Sequence, residues 1–552
     1  MNRRSVPVLA WVAASMSLVI ITVGCRSHTE KYGLPELGIS RQQIHEIEPL
    51  QLKKAEPNAV PPEANQPPAR LDLSLEQSRA LALQNNLQLK TDLVSPEIAA
   101  AQLSAEEAKF EATFFANVNV NKINSPSVSF LEEITGSKVD ALNGDLGVRV
   151  PLRTGGTVTF DLADSRTMTN ASLTSFNPYY TSDATVSVSQ PLLRNAGQWV
   201  NTYSIRVAAY NRDITDTRTR LGVITVLAAL DRVYWRLYAA RKELEVREQQ
   251  HNLALAQLES ARRLVDAGQR APVEVVRAEA GVAQQLEAII VAENNLRDRE
   301  REIKRVIHKT GLEMQTPTIV IPTTLPDPVR YELDRPQLIR TATEARMELL
   351  ELQLQLLQDA STIDYARNQT LPLASLNYTY NISGLGAAQN DSLDMLLDDE
   401  FADHRVGLQV VIPIGNGVAR NQLRQAIYQR RQRLATRANR EDLIRQEVLN
   451  AADQIETNWQ RILAARQNVI LNGRLYGAEK SQFEQGQRTS TDVLNAQINF
   501  ANAQSAEIQA LTEYQIALVD LAYATGTLLG AARIEWQPAI PQAEELGLVR
   551  RQ

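Results

Sequence analysis

Two short stretches of the chain put an acidic side chain six residues after a glycine. Leu264-Val265-Asp266-Ala267-Gly268-Gln269-Arg270 leads into Ala271-Pro272-Val273-Glu274. Phe483-Glu484-Gln485-Gly486-Gln487-Arg488 leads into Thr489-Ser490-Thr491-Asp492. The chemistry on offer is electrostatic. A carboxylate near a helix start gains roughly 0.3–1 kcal/mol from the helix dipole, and carboxylates ringed around a narrow opening favour cations. The other chemically capable residues are dispersed. His28, His45, His251, His308 and His404 show no His-x-x-x-His or carboxylate spacing suited to a metal. A single cysteine, Cys25, excludes an internal disulfide and a cysteine-rich metal site. Gly415-Asn416-Gly417 starts like a dinucleotide loop, but it lacks the third glycine and follows an alternating strand, so it reads as a strand-to-helix turn. No catalytic residue, cofactor site or metal site is expected.

The elements that must position the two glycine-acid stretches are long helices. Val223, Val226, Leu230, Val233, Leu237, Ala240 and Leu244 alternate spacings of three and four, as do Val448, Ala452, Ile455, Trp459, Ile462, Arg466 and Val469. Both runs are coiled-coil seams. A continuous helix from about Asn201 to Ala267 would be roughly 100 Å long at 1.5 Å per residue. After each tip the helical pattern runs to a Thr-Gly stop, at Thr310-Gly311 and Thr525-Gly526.

Ahead of the helices lies period-two alternation, which suits a barrel strand with one lipid face and one polar face. Phe114, Ala116, Val118 and Val120 interleave with Phe115, Asn117, Asn119 and Asn121, and Ala184, Val186 and Val188 alternate with Thr185, Ser187 and Ser189 before Gln190-Pro191. In the second half, Leu376, Tyr378, Tyr380 and Ile382 interleave with Asn377, Thr379 and Asn381. Val406, Leu408, Val410 and Ile412 alternate with Gly407, Gln409 and Val411 before Pro413. The stretch from Ala108 to Pro191 is 36 residues longer than its counterpart from Ala366 to Pro413. The surplus holds one more candidate hairpin, Leu146 to Leu152 and Thr157 to Leu162, turned by Thr154-Gly155-Gly156. An extracellular extension and additional barrel wall are both open readings of it. One copy offers too few strands to close a pore, and open edges cannot face lipid, so self-association is expected.

The N-terminus points to export. Arg3 and Arg4 precede an apolar run from Val6 to Val23 that ends at Thr22-Val23-Gly24-Cys25. This ending resembles a bacterial lipoprotein cleavage site with Cys25 as the lipidated residue, although Thr22 stands where an aliphatic residue is usual. An ordinary signal peptide and an uncleaved anchor are the other readings, and all three put the rest of the chain outside the cytoplasm. If Cys25 is acylated, Arg26 after it is not the Asp that commonly retains lipoproteins at the inner membrane. A net charge of −6 argues against a nucleic-acid partner. The expected organisation is a signal segment over 1–25 and a Pro-rich tether over 26–70, followed by one repeat over 71–325 and another over 326–527. In the first repeat the strands fall within 113–190 and the helical hairpin over 197–311; in the second they fall over 372–413 and 417–526. A tail over 528–552 ends the chain.

With two tips in register on long heptads, the chain resembles the TolC-type outer-membrane efflux protein family, the outer-membrane factors. Leu73-Ser74-Leu75-Glu76-Gln77, Asn85-Asn86, Val233-Tyr234-Trp235 and the Gly-x-Arg-x-x-x-Asp-Val-Leu of the second tip carry the resemblance. It implies an α+β fold from a two-fold internal repeat: a long periplasmic coiled-coil barrel of helices plus a transmembrane antiparallel β-barrel, shared by a homotrimer in the outer membrane. It also implies a passive, non-enzymatic duct in an efflux or type I secretion system. A periplasmic adaptor and an inner-membrane pump would meet it at Gly268, Gln269, Arg270, Gly486, Gln487 and Arg488. By the resemblance Asp492 and Glu274 belong to an inward acidic ring at the aperture, Asn495 stands where a second aspartate is usual, and Arg488 is a gate residue. Phe483 replaces the gate tyrosine and has no hydroxyl to donate. The alternatives are a structural envelope coiled-coil lipoprotein, which explains the heptads but not the strands, and a periplasmic adaptor, which would have one hairpin rather than two.

Overall fold

A computed structural model describes residues 69–126, 134 and 136–534. The expected signal segment with Cys25, nearly all of the expected Pro-rich tether and most of the expected tail lie outside the described residues.

The two longest helices are the ones that the heptads require. In the first half α4 (Tyr203–Asp266) returns through α5 (Val273–Ile307), and in the second α9 (Gly417–Glu484) returns through α10 (Ser490–Ala524). At 64 and 68 residues, α4 and α9 extend about 96 and 102 Å at 1.5 Å per residue. Val223, Leu230, Val233, Leu237 and Ala240 are buried along α4, and Val448, Ala452, Ile455 and Ile462 along α9. Arg466, expected in the α9 seam, is exposed. Ala465 packs beside Ile455, Ile462 and Tyr514 instead, because a small side chain fits between closely packed helices while a guanidinium stays in water.

Above these hairpins sit shorter helices: α1 (Leu75–Asn85) and α2 (Leu87–Glu107) in the first half, α6 (Arg335–Ala345) and α7 (Met347–Gln369) in the second. A small parallel sheet of β1 (Arg70–Leu73) and β6 (Ile319–Pro322) joins them. The Tyr234 hydroxyl links both parts of this joint, donating to Leu73 O at 3.0 Å and accepting from Thr324 N at 2.9 Å. Asn86 caps α2 through Leu89 N and donates to Val306 O at 2.8 Å, tying the α1–α2 junction to the end of α5.

The expected stop at Gly311 comes three residues late for the helix itself. α5 ends at Ile307 with His308 in the left-handed region at φ 48°. The early break lets Leu312 enter the core beside Leu73 and Val320 and lets Lys304 Nζ donate to Thr316 O at 2.8 Å. At the end of α10, Gly526 does terminate the helix: its N–H bonds Tyr523 O, and Thr527 N–H bonds Ala522 O.

The strands form one antiparallel sheet among the described residues, in the order β2 (Thr113–Asn124), β3 (Lys138–Pro151), β4 (Thr157–Thr169), β5 (Tyr179–Pro191), β7 (Leu373–Gly386), β8 (Ala402–Val411). Register sorts the residue types by face. One row crosses from Phe114 through Val148, Phe160 and Val186 to Tyr380, and the next from Ala116 through Leu146, Leu162 and Ala184 to Ile382. The opposite face carries Asn117, Asp145, Asp161, Asp183, Thr185 and Asn381, and there a groove of about 530 Å³ is lined by Thr113, Asn117, Asp145, Arg149 and Asp161. Helix α8 (Gln389–Leu397) closes the end of the sheet away from the long helices. It sits so near β7 that a Cβ at Gly384 would lie 1.9 Å from Ser392 O.

The glycine-acid helix tips

Both tips are built from the same backbone device. Gly268 and Gly486 adopt φ of +70° and +86°, a region that costs other L-residues about 1–2 kcal/mol. In each, the glycine N–H bonds the carbonyl three residues back and the following glutamine N–H the one five back: Val265 and Leu264 in the first tip, Phe483 and Gln482 in the second. These bonds satisfy the last carbonyls of α4 and α9. A Cβ at either glycine would meet nothing within 4 Å, so the dihedral alone demands glycine. Gly268, Gln269, Gly486, Gln487 and Arg488 are exposed.

The side chains then diverge. Arg270 Nη2 donates to Phe483 O at 2.8 Å and to Arg488 O at 2.7 Å, and its guanidinium lies 4.9 Å from the Phe483 ring centre. Arg488, its counterpart, turns back onto its own hairpin, bonding Gln482 Oε1 at 3.0 Å and pairing with Glu479 at 3.2 Å. Phe483 is fully buried among Leu258, Ala261, Ala278 and Val493. The position that lacks a hydroxyl therefore joins the hairpins through its ring and its carbonyl.

The two carboxylates also differ. Asp492 closes a capping box on its own helix: Thr489 N donates to Asp492 Oδ2 at 2.9 Å and Thr489 Oγ1 to the same oxygen at 2.8 Å. The Thr489 backbone N–H holds the Asp492 carboxyl below the usual carboxylate range. Glu274 is 6% exposed and reaches across: its Oε2 accepts from Ser490 N at 2.7 Å and its Oε1 from Arg277 Nη1 at 2.7 Å. Burial pushes its carboxyl up, but the Ser490 N–H and the Arg277 guanidinium outweigh this and leave it below its ordinary value. Thus Glu274, expected beside Asp492 at an opening, is enclosed within this protomer and caps the start of α10. Asn495 is exposed one turn further along α10.

The divergence of the two carboxylates follows from two residues. Position 271 is Ala where position 489 is Thr, so Glu274 has no hydroxyl to share a local capping box. Position 272 is Pro where position 490 is Ser, so the first tip has no N–H at the place where the second donates. Glutamate, one methylene longer than aspartate, spans the gap. The sequence carried this signal in Ala271-Pro272 against Thr489-Ser490; what it did not carry was which neighbour Glu274 and Arg270 would meet.

Known proteins resemble the chain in sequence and fold. Over 356 residues the chain is 24% identical to outer membrane protein TolC of Vibrio cholerae, covering 62% of this chain and 76% of that one. Outer membrane protein TolC of Salmonella enteritidis is 23% identical over 329 residues, covering 57% and 64%. Among solved structures, the Campylobacter jejuni CmeC outer membrane channel superposes with a TM-score of 0.62 at 16% identity, covering 86% of this chain and 90% of that one. VceC of Vibrio cholerae gives 0.61 at 12% identity, covering 82% and 96%. The fold is that of the TolC-like channels. The model of the outer membrane efflux protein family matches residues 157–307 and 338–527, and the chain belongs to that family of outer-membrane channels.

Proposed function

We propose that the protein is the passive exit duct of a tripartite efflux or type I secretion assembly, working as a homotrimer. The supporting observation is that each protomer has two open edges running through both layers. Along one lie β2, α2 and α5; along the other lie β8 and α9. Strands β2 and β8 each pair on one side only among the described residues, and an unpaired strand edge is untenable in lipid. The edge helices carry exposed apolar side chains, Val94, Ile98, Ile290 and Val291 on one side and Leu463 and Leu471 on the other. Different surfaces meeting head to tail close into a ring. The apolar sheet face, with Phe114 at 70% and Val406 at 73% exposure, is the lipid face. Strands of 10–14 residues tilted by about 45° are sufficient to span a bilayer.

In this reading an inner-membrane pump delivers substrate through a periplasmic adaptor, which docks on the exposed tips at Gly268, Gln269, Gly486, Gln487 and Arg488. Asp492 lines the aperture, with Asn495 beside it weakening the charge of the ring. Glu274 and Arg270 hold the tip together, and Phe483 is their anchor. Cys25 is the proposed lipid anchor, tested by loss of fatty-acyl labelling in Cys25→Ser.

A heat-resistant trimer in detergent with mixed helical and strand circular dichroism is the expected result; a soluble monomer after signal removal would sink the reading. Planar-bilayer recordings test the aperture: Asp492→Ala should reduce cation selectivity and block by divalent cations. If both are unchanged, Asp492 is not at the opening.

A further inference from the structure

The hairpin β3–β4 has no counterpart in the second half of the chain. Four strands stand over four helices: β2 continues α2, β5 leads into α4, β7 continues α7 and β8 leads into α9. Strands β3 and β4 stand over none. We propose that this hairpin is a permanent part of the barrel wall, so that β2 of each copy pairs with β8 of the next and three copies close an eighteen-stranded barrel as wide as the helical tunnel below it. The proposal rests on the trimeric duct reading above.

Register is the first argument. β3 pairs β2 from Thr113↔Arg149 to Asn124↔Lys138, and β4 pairs β5 from Thr157↔Ser189 to Thr167↔Tyr179. The hairpin is thus bonded on both flanks along its length. Apolar and polar faces pass through it unbroken, Val148 and Phe160 on one side and Asp145 and Asp161 on the other. An extension folded away from the wall would forfeit both the β2–β3 and the β4–β5 ladders and would require β2 to pair with β5 anew.

Anchoring at the helical rim is the second. The β3–β4 turn is held where the strands meet the helices: Gly197 N donates to Thr154 O at 3.0 Å, and Gln190 Nε2 donates to Thr154 O at 3.2 Å. Gly155, at φ +91°, lets the turn approach so closely that a Cβ there would lie 2.3 Å from Asn195 O.

Width is the third. Helices α2, α4, α7 and α9 pack in that order, and at about 8–10 Å per helix they span roughly 32–40 Å of circumference per copy. Six strands at about 4.8 Å, tilted 35–45°, span roughly 35–41 Å, a width that the four helices accommodate. Strand direction completes the case. β2 runs away from the helices and β8 runs toward them, so the edges of adjacent copies meet antiparallel, as a closed barrel with an even strand number requires.

Electron cryomicroscopy of the full-length protein in lipid nanodiscs tests this. The expected map shows eighteen strands and a backbone diameter of about 36 Å, continuous in width with the helical tunnel. A threefold duct whose wall has twelve strands, about 24 Å across, with β3–β4 outside it, would overturn the proposal while leaving the duct reading intact. An assembly without a threefold ring would overturn the duct reading and the eighteen-strand count with it.

Discussion

The two helix tips have the same glycine, the same glutamine and the same arginine in sequence, yet one grips and the other is gripped. From the first tip, Arg270 takes two carbonyls of the second and Glu274 takes its Ser490 N–H. The second tip returns no such side-chain reach, since Arg488 and Asp492 are engaged on their own hairpin. Repeated halves need not have repeated roles: a methylene, a proline and a hydroxyl are sufficient to give the two carboxylates different tasks.

The comparison is broken most severely at Arg270. Arg270→Ala leaves two carbonyls without their charged donor and strips the Phe483 ring of its cover, at a cost of about 2–4 kcal/mol in tip opening. Hydrogen exchange across 483–490 should accelerate by at least tenfold, while Arg488→Ala should leave the first tip's exchange nearly unchanged. Equal effects would restore the symmetric picture.

Glu274→Ala comes next, at about 1–3 kcal/mol, because Ser490 N–H and Arg277 lose their acceptor. Acid should reproduce it. The Glu274 carboxyl is lowered on folding, so its contribution is fully present above the unfolded value near 4.5 and is lost as pH falls through the lower folded value. Exchange at the start of α10, corrected for intrinsic rate, should show that loss in wild type and a smaller one in Glu274→Ala, where only the Asp492 capping box still titrates.

Gly268→Ala and Gly486→Ala should each cost about 1 kcal/mol through the left-handed dihedral, and by similar amounts, since the backbone device is common to both tips. Thermal unfolding of the two variants checks this. Asp492→Ala has the smallest expected effect on stability, about 0.5–1 kcal/mol for a lost helix cap. A penalty matching that of Glu274→Ala would mean that Asp492 also bridges the hairpins.

Much of the fold was legible because long-period patterns average over many residues. Heptads fixed α4 and α9, and alternation fixed which residues of each strand share a face. Pairing partners were less accessible: period two says that Leu146 and Val148 share a face, but not that β3 and β4 stand between β2 and β5. Single-residue events were hidden too. Nothing in the heptad told that Arg466 would leave the seam to Ala465, and the early end of α5 at His308 depends on Leu312 finding a distant core. At the tips, the family resemblance pointed to carboxylates near an opening; the enclosure of Glu274 depended on a second hairpin whose position no local pattern encodes.

The β3–β4 hairpin also sets a rule of inheritance. A chain that leaves a helix, crosses the wall and must return to a helix can gain strands only in pairs, and in the proposed trimer every pair gained by one copy is gained by all three. Barrel width in such a ring is therefore stepped, by six strands at a time, so that twelve and eighteen are permitted sizes and nothing between them is. A single duplication or insertion of some thirty residues, the length of β3 and β4 with their turn, moves the whole duct from one size to the next without altering a residue of the helices beneath.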